Sequence, residues 1–350
     1  MKLFFADTQL AHQPKQYMVH GRIVDPFENP NRVTSLMAAL EPLQLQRMEP
    51  GDYGLNPILD VHVDHYVVFL EEAHARFMEL PNHGPEVLPN VHSYTGAESH
   101  LHVRDKPRPT GILGQAGWYL GDLSCAMMEG TFRAAYASAQ SAIAGAEAVL
   151  AGDYAFALCR PPGHHAYADR ASGFCFLNNA AIGAQVLRRT FAKVAIVDFD
   201  THHGDGTQAI FYRRGDVFYG SVHTDPSSYY PHFFGYGDET GALEGEGANL
   251  NLPLAHGADD EAFIDANQRL ALAVQAHGAE ALVISAGWDA HKDDPLSKLA
   301  VTTAAYPRLG EIWGKLALPT LIVQEGGYSL SASAEAASAF MEAFRSTSGA

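Results

Sequence analysis

Short, almost wholly apolar runs alternate along the chain with longer Ala-rich segments whose apolar positions recur at helical spacing. The runs at residues 2–6, 156–159, 194–199, 217–222, 281–285 and 320–324 predict strands. They are continuous rather than alternating in polarity, which marks strands buried on both faces of a parallel sheet. The segments at residues 133–151, 178–188, 261–276, 307–315 and 331–344 predict helices, and residues 61–77 form a further helical stretch. Strand and helix in alternation, without internal repeats, heptads or low-complexity tails, predict one α/β unit of three layers, α/β/α, around a central, mostly parallel sheet. Two stretches fit neither pattern. Residues 80–119 scatter His, Pro and Gly, and residues 224–247 are rich in Tyr, Phe, Gly and Asp. Long irregular segments inside a compact domain are usually functional or disordered, and aromatic content argues against disorder.

Composition narrows the class. With 350 residues, 47% apolar and 18% charged, the chain has ample material for a core and is not a disordered one. A net charge of −17 argues against a nucleic-acid binder, which needs Lys and Arg to displace counterions from phosphates. The same charge favours cationic small molecules by steering, although acidity alone also serves solubility. Cys125, Cys159 and Cys175 form no CxxC pair, so neither a disulfide framework nor a zinc ribbon is expected, and a reducing, cytoplasmic setting is. Residues 1–6 are apolar but Asp7 ends the run, so no export signal is expected. No apolar stretch reaches membrane length, so no membrane span is expected either.

The chemistry gathers where the predicted strands end. After the run at 194–197 come Asp198, Phe199, Asp200, Thr201 and His202. In extended backbone the side chains at 198, 200 and 202 point the same way, and open α/β sheets bind ligands at this carboxyl rim. Three more strand ends lead into Arg160-Pro161-Pro162-Gly163-His164-His165, Gly287-Trp288-Asp289 and Glu325-Gly326-Gly327-Tyr328. Singly, each has an ordinary explanation: a hydrogen-bonded strand terminus, turn residues, a packed aromatic. Together they supply a hydrolase. Asp200, His202 and Asp289 make a three-ligand O/N/O set that leaves zinc an open position, and that also suits Fe²⁺ or Co²⁺. His164 and His165 provide base and acid, and Tyr328 an O–H for an oxyanion. Other conspicuous residues have plain structural roles. Trp118 and Tyr119 suggest packing, His62, His65 and His74 ordinary surface or core histidines, Cys175 a small buried residue, and Asp293 with Asp294 a solvated loop.

The strings RPPGHH, GFCFLNNAA, DFDTHHGDGTQ and EGGY, in this order, resemble the histone deacetylase family and its arginase–deacetylase fold over essentially the whole chain. The insertion at about 80–119, and Tyr230-Pro231-His232-Phe233-Phe234-Gly235-Tyr236 followed by Asp238-Glu239-Thr240-Gly241, resemble its bacterial acetylpolyamine amidohydrolase branch. The resemblance implies a single deacetylase domain spanning residues 1–350. It implies zinc on Asp200, His202 and Asp289, with His165 as the general base. It also pairs His164 with Asp198 and His165 with Asp205, makes Tyr328 the transition-state donor, and flanks a narrow channel with Gly173, Phe174 and Tyr230. A structural K⁺ or Na⁺ would lie at Asp198, Asp200, His202, Ser221 and Val222. The implied substrate is a small acetylated polyamine or diamine, and the implied assembly a homodimer whose insertions cover the channel mouth. Acetyl-lysine in proteins is the alternative substrate. An acyl-amine sensor would lack a ligand, base or tyrosine, and none is missing; an arginase-like binuclear site would need a second set of ligands. One departure stands out. The branch's acidic mouth residues fall on Leu113 and Ser124, with Asp122 nearby but out of register, which ranks short acetylated diamines above acetylspermine.

Overall fold

The computed structural model describes residues 1–19, 21–93 and 106–350. Residues 94–105 of the insertion lie outside the described residues. Eight strands form one sheet in the order β4-β1-β5-β10-β9-β6-β7-β8, every neighbouring pair parallel. They are β1 (Lys2–Phe4), β4 (Gln46–Met48), β5 (Ala155–Ala157), β6 (Val194–Asp198), β7 (Val217–Thr224), β8 (Asn249–Leu254), β9 (Ala281–Ala286) and β10 (Thr320–Gln324). A separate antiparallel hairpin pairs β2 (Tyr17–Val19) with β3 (Arg22–Val24). All six runs of the sequence pattern are strands of the large sheet. The pattern missed its two edges. β4 reads Gln-Arg-Met and is half exposed, while β8 alternates Asn with Leu and carries Pro253, a residue that sheets accept at an edge.

Alternate residues of the central strands enter two separate cores. Ile196, Val283, Leu321 and Val323 pack with α3 (Asp64–Met78), α5 (Thr131–Leu150) and α6 (Asn179–Leu187). Ala195, Val197, Leu282, Ile284 and Ile322 pack with α1 (Asn31–Leu40), α8 (Asp260–His277), α9 (Ala305–Gly314) and α10 (Leu330–Ser348). Both faces are thus dry, which is why the strands carry no polar alternation. Short helices α2 (Asn56–Leu59) and α7 (Asp205–Phe211) complete the set, together with α4 (Ile112–Tyr119), which ends the stretch expected to be irregular. Two glycines within α4 weaken its helical signal, but Ile112, Ala116 and Tyr119 are buried on one side. Among the described residues no helix is long and apolar enough to cross a membrane. The parallel order brings the carboxyl ends of β5, β6, β9 and β10 to one rim.

Candidate active site

β6 ends at Asp198, and the next turns set Asp200 and His202 beside Asp289, three residues beyond β9. Donor atoms of Asp200, His202 and Asp289 lie within 4.8 Å of one another, and all three residues are buried. His202 turns Nδ1 toward the carboxylates, 3.0 Å from Asp200 Oδ1 and 3.2 Å from Asp289 Oδ2. Asp200 Oδ2 accepts the N–H of Gly326 at 2.8 Å, whereas Asp289 Oδ2 is buried with no donor beyond the neighbouring His202 Nδ1. A buried carboxylate oxygen left in that state is costly unless a cation completes it. Burial, then the charge of Asp200, pushes Asp289 up to about 7. His202 is driven well above its usual range: burial opposes the proton, but Tyr229, Asp200 and Asp289 outweigh it. The cluster thus draws positive charge, and two carboxylates with one imidazole are a donor set that suits zinc, iron or cobalt. Glycine is required around it. A Cβ on Gly287 would come 2.1 Å from Asp200 Oδ2, and one on Gly326 2.2 Å from Asp289 Oδ2.

His164, Cys175 and Glu325 form a second buried group of the same compactness. It differs in being already satisfied. Glu325 takes the N–H groups of Gly163 (2.7 Å) and His164 (3.0 Å) and the Ser285 hydroxyl (3.0 Å), and burial pushes the Cys175 thiol far up. Among the described residues, the group fitted to hold a metal is the first.

The two histidines expected to move protons are both buried and both backed by carboxylates. His164 Nδ1 lies 2.9 Å from Asp198 Oδ2, and His165 Nδ1 lies 2.7 Å from Asp205 Oδ1. Their environments part them. Burial disfavours the charged form of each, but Asp198 and Asp200 overcome it at His164 and raise that ring to about 10. At His165, burial and then the neighbouring His164 charge bring the ring down to about 4. Asp205 opens α7, and its second oxygen accepts the Tyr167 hydroxyl at 2.8 Å. Ser221, of the expected monovalent-cation set, pairs with Asp198 across β6 and β7, and Val222 follows it in the core.

Gly173, Phe174 and Tyr230, expected to line a slot, stand beside this floor. Phe174 (φ 68) and Gly173 (φ 52) both have left-handed backbone, which only glycine adopts freely. A Cβ on Gly173 would meet His165 Cδ2 at 2.3 Å. The Phe174 ring lies edge-on to Tyr328, centroids 5.8 Å apart, and the Tyr230 ring stands edge-on to His165 at 5.0 Å. The Arg32 guanidinium lies 4.8 Å from the centroid of the Tyr328 ring while donating to the carbonyls of Gly327 (2.6 Å) and Glu325 (2.5 Å). Burial pushes the Tyr328 phenol well above its usual range, so it keeps its proton.

Three expectations need correction or addition. Asp122, expected near the mouth but out of register, has an Oδ2 that accepts the N–H of Gly173 at 2.9 Å and the Tyr230 hydroxyl at 2.8 Å. Ser124, at the expected acidic position, donates its hydroxyl to Asp122 Oδ1 at 2.7 Å, and Leu113 is exposed on α4. Asp294 is buried rather than solvated, and its Oδ2 takes the N–H groups of Tyr328 (2.6 Å) and Ser329 (2.8 Å). Tyr229 carried no sequence signal. Its hydroxyl lies 2.9 Å from His202 Nε2 and also meets the Leu296 carbonyl, so it anchors the far side of that imidazole.

Comparison with known proteins agrees with this geometry. Residues 26–344 match the histone deacetylase domain. The chain is 46% identical over 332 residues to an acetylpolyamine amidohydrolase of Burkholderia pseudomallei, covering 94% of each, and 41% identical to acetylpolyamine amidohydrolase 1 of Pseudomonas aeruginosa, again covering 94% of each. The crystal structure of an acetylpolyamine aminohydrolase from Burkholderia pseudomallei superposes with a TM-score of 0.94 at 45% identity, covering 99% of both chains. The chain is a member of the histone deacetylase family, a family of metal-dependent deacetylases.

Proposed function

We propose that the protein removes acetyl groups from small acetylated polyamines or diamines by metal-assisted amide hydrolysis. The observation that carries this is the pair of His–Asp couples beside a buried O/N/O cluster whose Asp289 oxygen has no donor beyond His202 Nδ1. The relatives' activity on acetylpolyamines supplies the substrate class. Asp200, His202 through Nδ1 and Asp289 would hold Zn²⁺, which would supply Lewis acidity to the amide carbonyl and the attacking water. His165, neutral at pH 7 and with Nδ1 committed to Asp205, has Nε2 free to take a proton from that water. His164, pushed the other way, carries the proton that the leaving amine needs. Tyr328 donates its O–H to the tetrahedral oxyanion. Its backbone is fixed by Asp294 and its ring by Arg32 and Phe174. Tyr229, accepting the Nε2–H of His202, holds the tautomer that leaves Nδ1 free for metal. Asp122 presents a carboxylate at the slot for the substrate's free ammonium group.

The same reading includes a K⁺ or Na⁺ at Asp198, Asp200, His202, Ser221 and Val222, a single domain over residues 1–350, and a cytoplasmic location in keeping with three free thiols. It also includes a homodimer. Phe233, 80% exposed, and Phe234 follow Tyr230 by a few residues and give apolar surface that a second copy would cover. The test is a hydrolysis panel of acetylputrescine, acetylcadaverine, acetylspermidine, acetylspermine and an acetyl-lysine peptide, with metal content measured on the same sample. Faster turnover of a free acetylated diamine than of the peptide is expected. Equal or better turnover of the peptide would move the assignment to protein deacetylation.

A further inference from the structure

Tyr230 touches both ends of the slot. Its half-buried ring stands perpendicular to His165, centroids 5.0 Å apart, and edge-on to His202 at 6.1 Å. Its hydroxyl donates to Asp122 Oδ2 at 2.8 Å and lies 2.7 Å from Ser172 Oγ. Asp122 is otherwise held by neutral donors. Oδ2 also takes the N–H of Gly173 (2.9 Å) and the Ser172 hydroxyl (3.1 Å), while Oδ1 takes the N–H (2.9 Å) and hydroxyl (2.7 Å) of Ser124. These bonds orient the carboxylate and leave its charge unneutralised, in a form ready for a cation. Burial and the Asp122 charge push the Tyr230 phenol far up, so the O–H remains a donor. A phenylalanine ring would fill the same wall. What the hydroxyl adds is a rigid tie between that wall and the carboxylate.

Resting on the substrate proposed above, we infer that Tyr230 is a positioning residue that measures the amine. One inflexible side chain sets the gap between the reacting centre beside His165 and the ammonium-binding carboxylate of Asp122. Substrates whose acetyl and ammonium ends are separated by that gap fit both ends at once. Shorter or longer chains satisfy only one end. Without the tyrosine O–H, the carboxylate keeps the donors of Gly173, Ser172 and Ser124 but loses its tie to the ring beside His165, so the gap is no longer held to one length and selectivity falls more than activity does.

The experiment is a series of N-acetylated linear diamines differing by single methylenes, with matched N-alkylacetamides that lack the ammonium group. It compares the wild-type enzyme with Tyr230→Phe, Asp122→Asn and the double variant. The wild type is expected to show a sharp optimum in kcat/KM, falling about tenfold per methylene on either side, and a preference for the charged series. Tyr230→Phe keeps the ring and is expected to flatten the length profile to about twofold per step, mainly through KM, as suits one lost hydrogen bond to a charge. In the Asp122→Asn background the same change should add no further flattening. Asp122→Glu, which keeps the charge on a longer arm, should move the optimum by about one methylene rather than flatten it. A uniform loss across all lengths in Tyr230→Phe overturns the measuring role and leaves only wall packing. Equal flattening with and without Asp122 overturns the coupling between the two residues. A wild-type enzyme active on none of the diamines overturns the substrate assignment as well, a result distinct from an active enzyme whose profile Tyr230→Phe does not change.

Discussion

At the floor of the slot, Asp198, Asp200, His202, Asp289 and Tyr328 all lie within four residues of the end of a sheet strand. At its mouth, Asp122, Phe174 and Tyr230 come from segments between helices and strands, one of them (Phe174) in left-handed backbone. The floor is thereby fixed by the register of β6 on β9 and of β9 on β10, which no loop change can slide without turning buried residues outward. The mouth is fixed by side-chain hydrogen bonds, Asp122 above all, and each can be altered alone. A parallel sheet holding the reacting groups and loops holding the selecting groups let one chemistry serve different amines.

The largest effect should come from the floor. Asp289→Ala removes the oxygen that has no donor beyond His202 Nδ1, and is expected to lose bound metal and activity together. Full metal occupancy by elemental analysis would mean that Asp289 is not a ligand. Next is His165→Ala, expected to retain metal while kcat drops by about 10²–10⁴. An unchanged rate with intact metal would transfer the base role to His164. Tyr328→Phe should lower kcat by about 10²–10³ with metal and thermal stability unchanged. Near-normal turnover would place the oxyanion donor elsewhere. The smallest effect sharpens the contrast, because Tyr229 belongs to the mouth loop yet touches the floor. Tyr229→Phe is expected to weaken metal affinity by about 10–100-fold in a chelator competition. No change would confine that loop to substrate selection and make the two regions independent.

The same division explains what could be foreseen from sequence. Residues 320–324 matched β10 to the residue because Thr-Leu-Ile-Val-Gln is buried on both faces, and the polar residues that follow each central strand named the floor. β4 and β8 were missed because an edge strand needs no continuous apolar run: Gln46 and Arg47 face solvent, and Asn249 and Asn251 serve a polar network with Gln208 and Glu239. The contacts of Asp122 with Gly173 and Tyr230 were not legible, because position in a loop does not fix where a carboxylate ends up. Tyr229 and Arg32 left no trace because their partners, His202 and the carbonyls of residues 325 and 327, are remote in sequence and include backbone atoms.

The strand order has a consequence for the life of the chain before it is finished. β10, near the carboxyl terminus, is inserted between β5 and β9, in the middle of the sheet rather than at its edge. During synthesis the first half of the protein therefore waits, with a gap where its central strand belongs and apolar faces open on both sides. Of the residues named in the site, Asp289 and Asp294 are made late and Tyr328 later still. A ribosome-bound chain ending before residue 320 has neither a closed sheet nor Tyr328, the proposed oxyanion donor, and the delay exposes the incomplete sheet to aggregation or to chaperones.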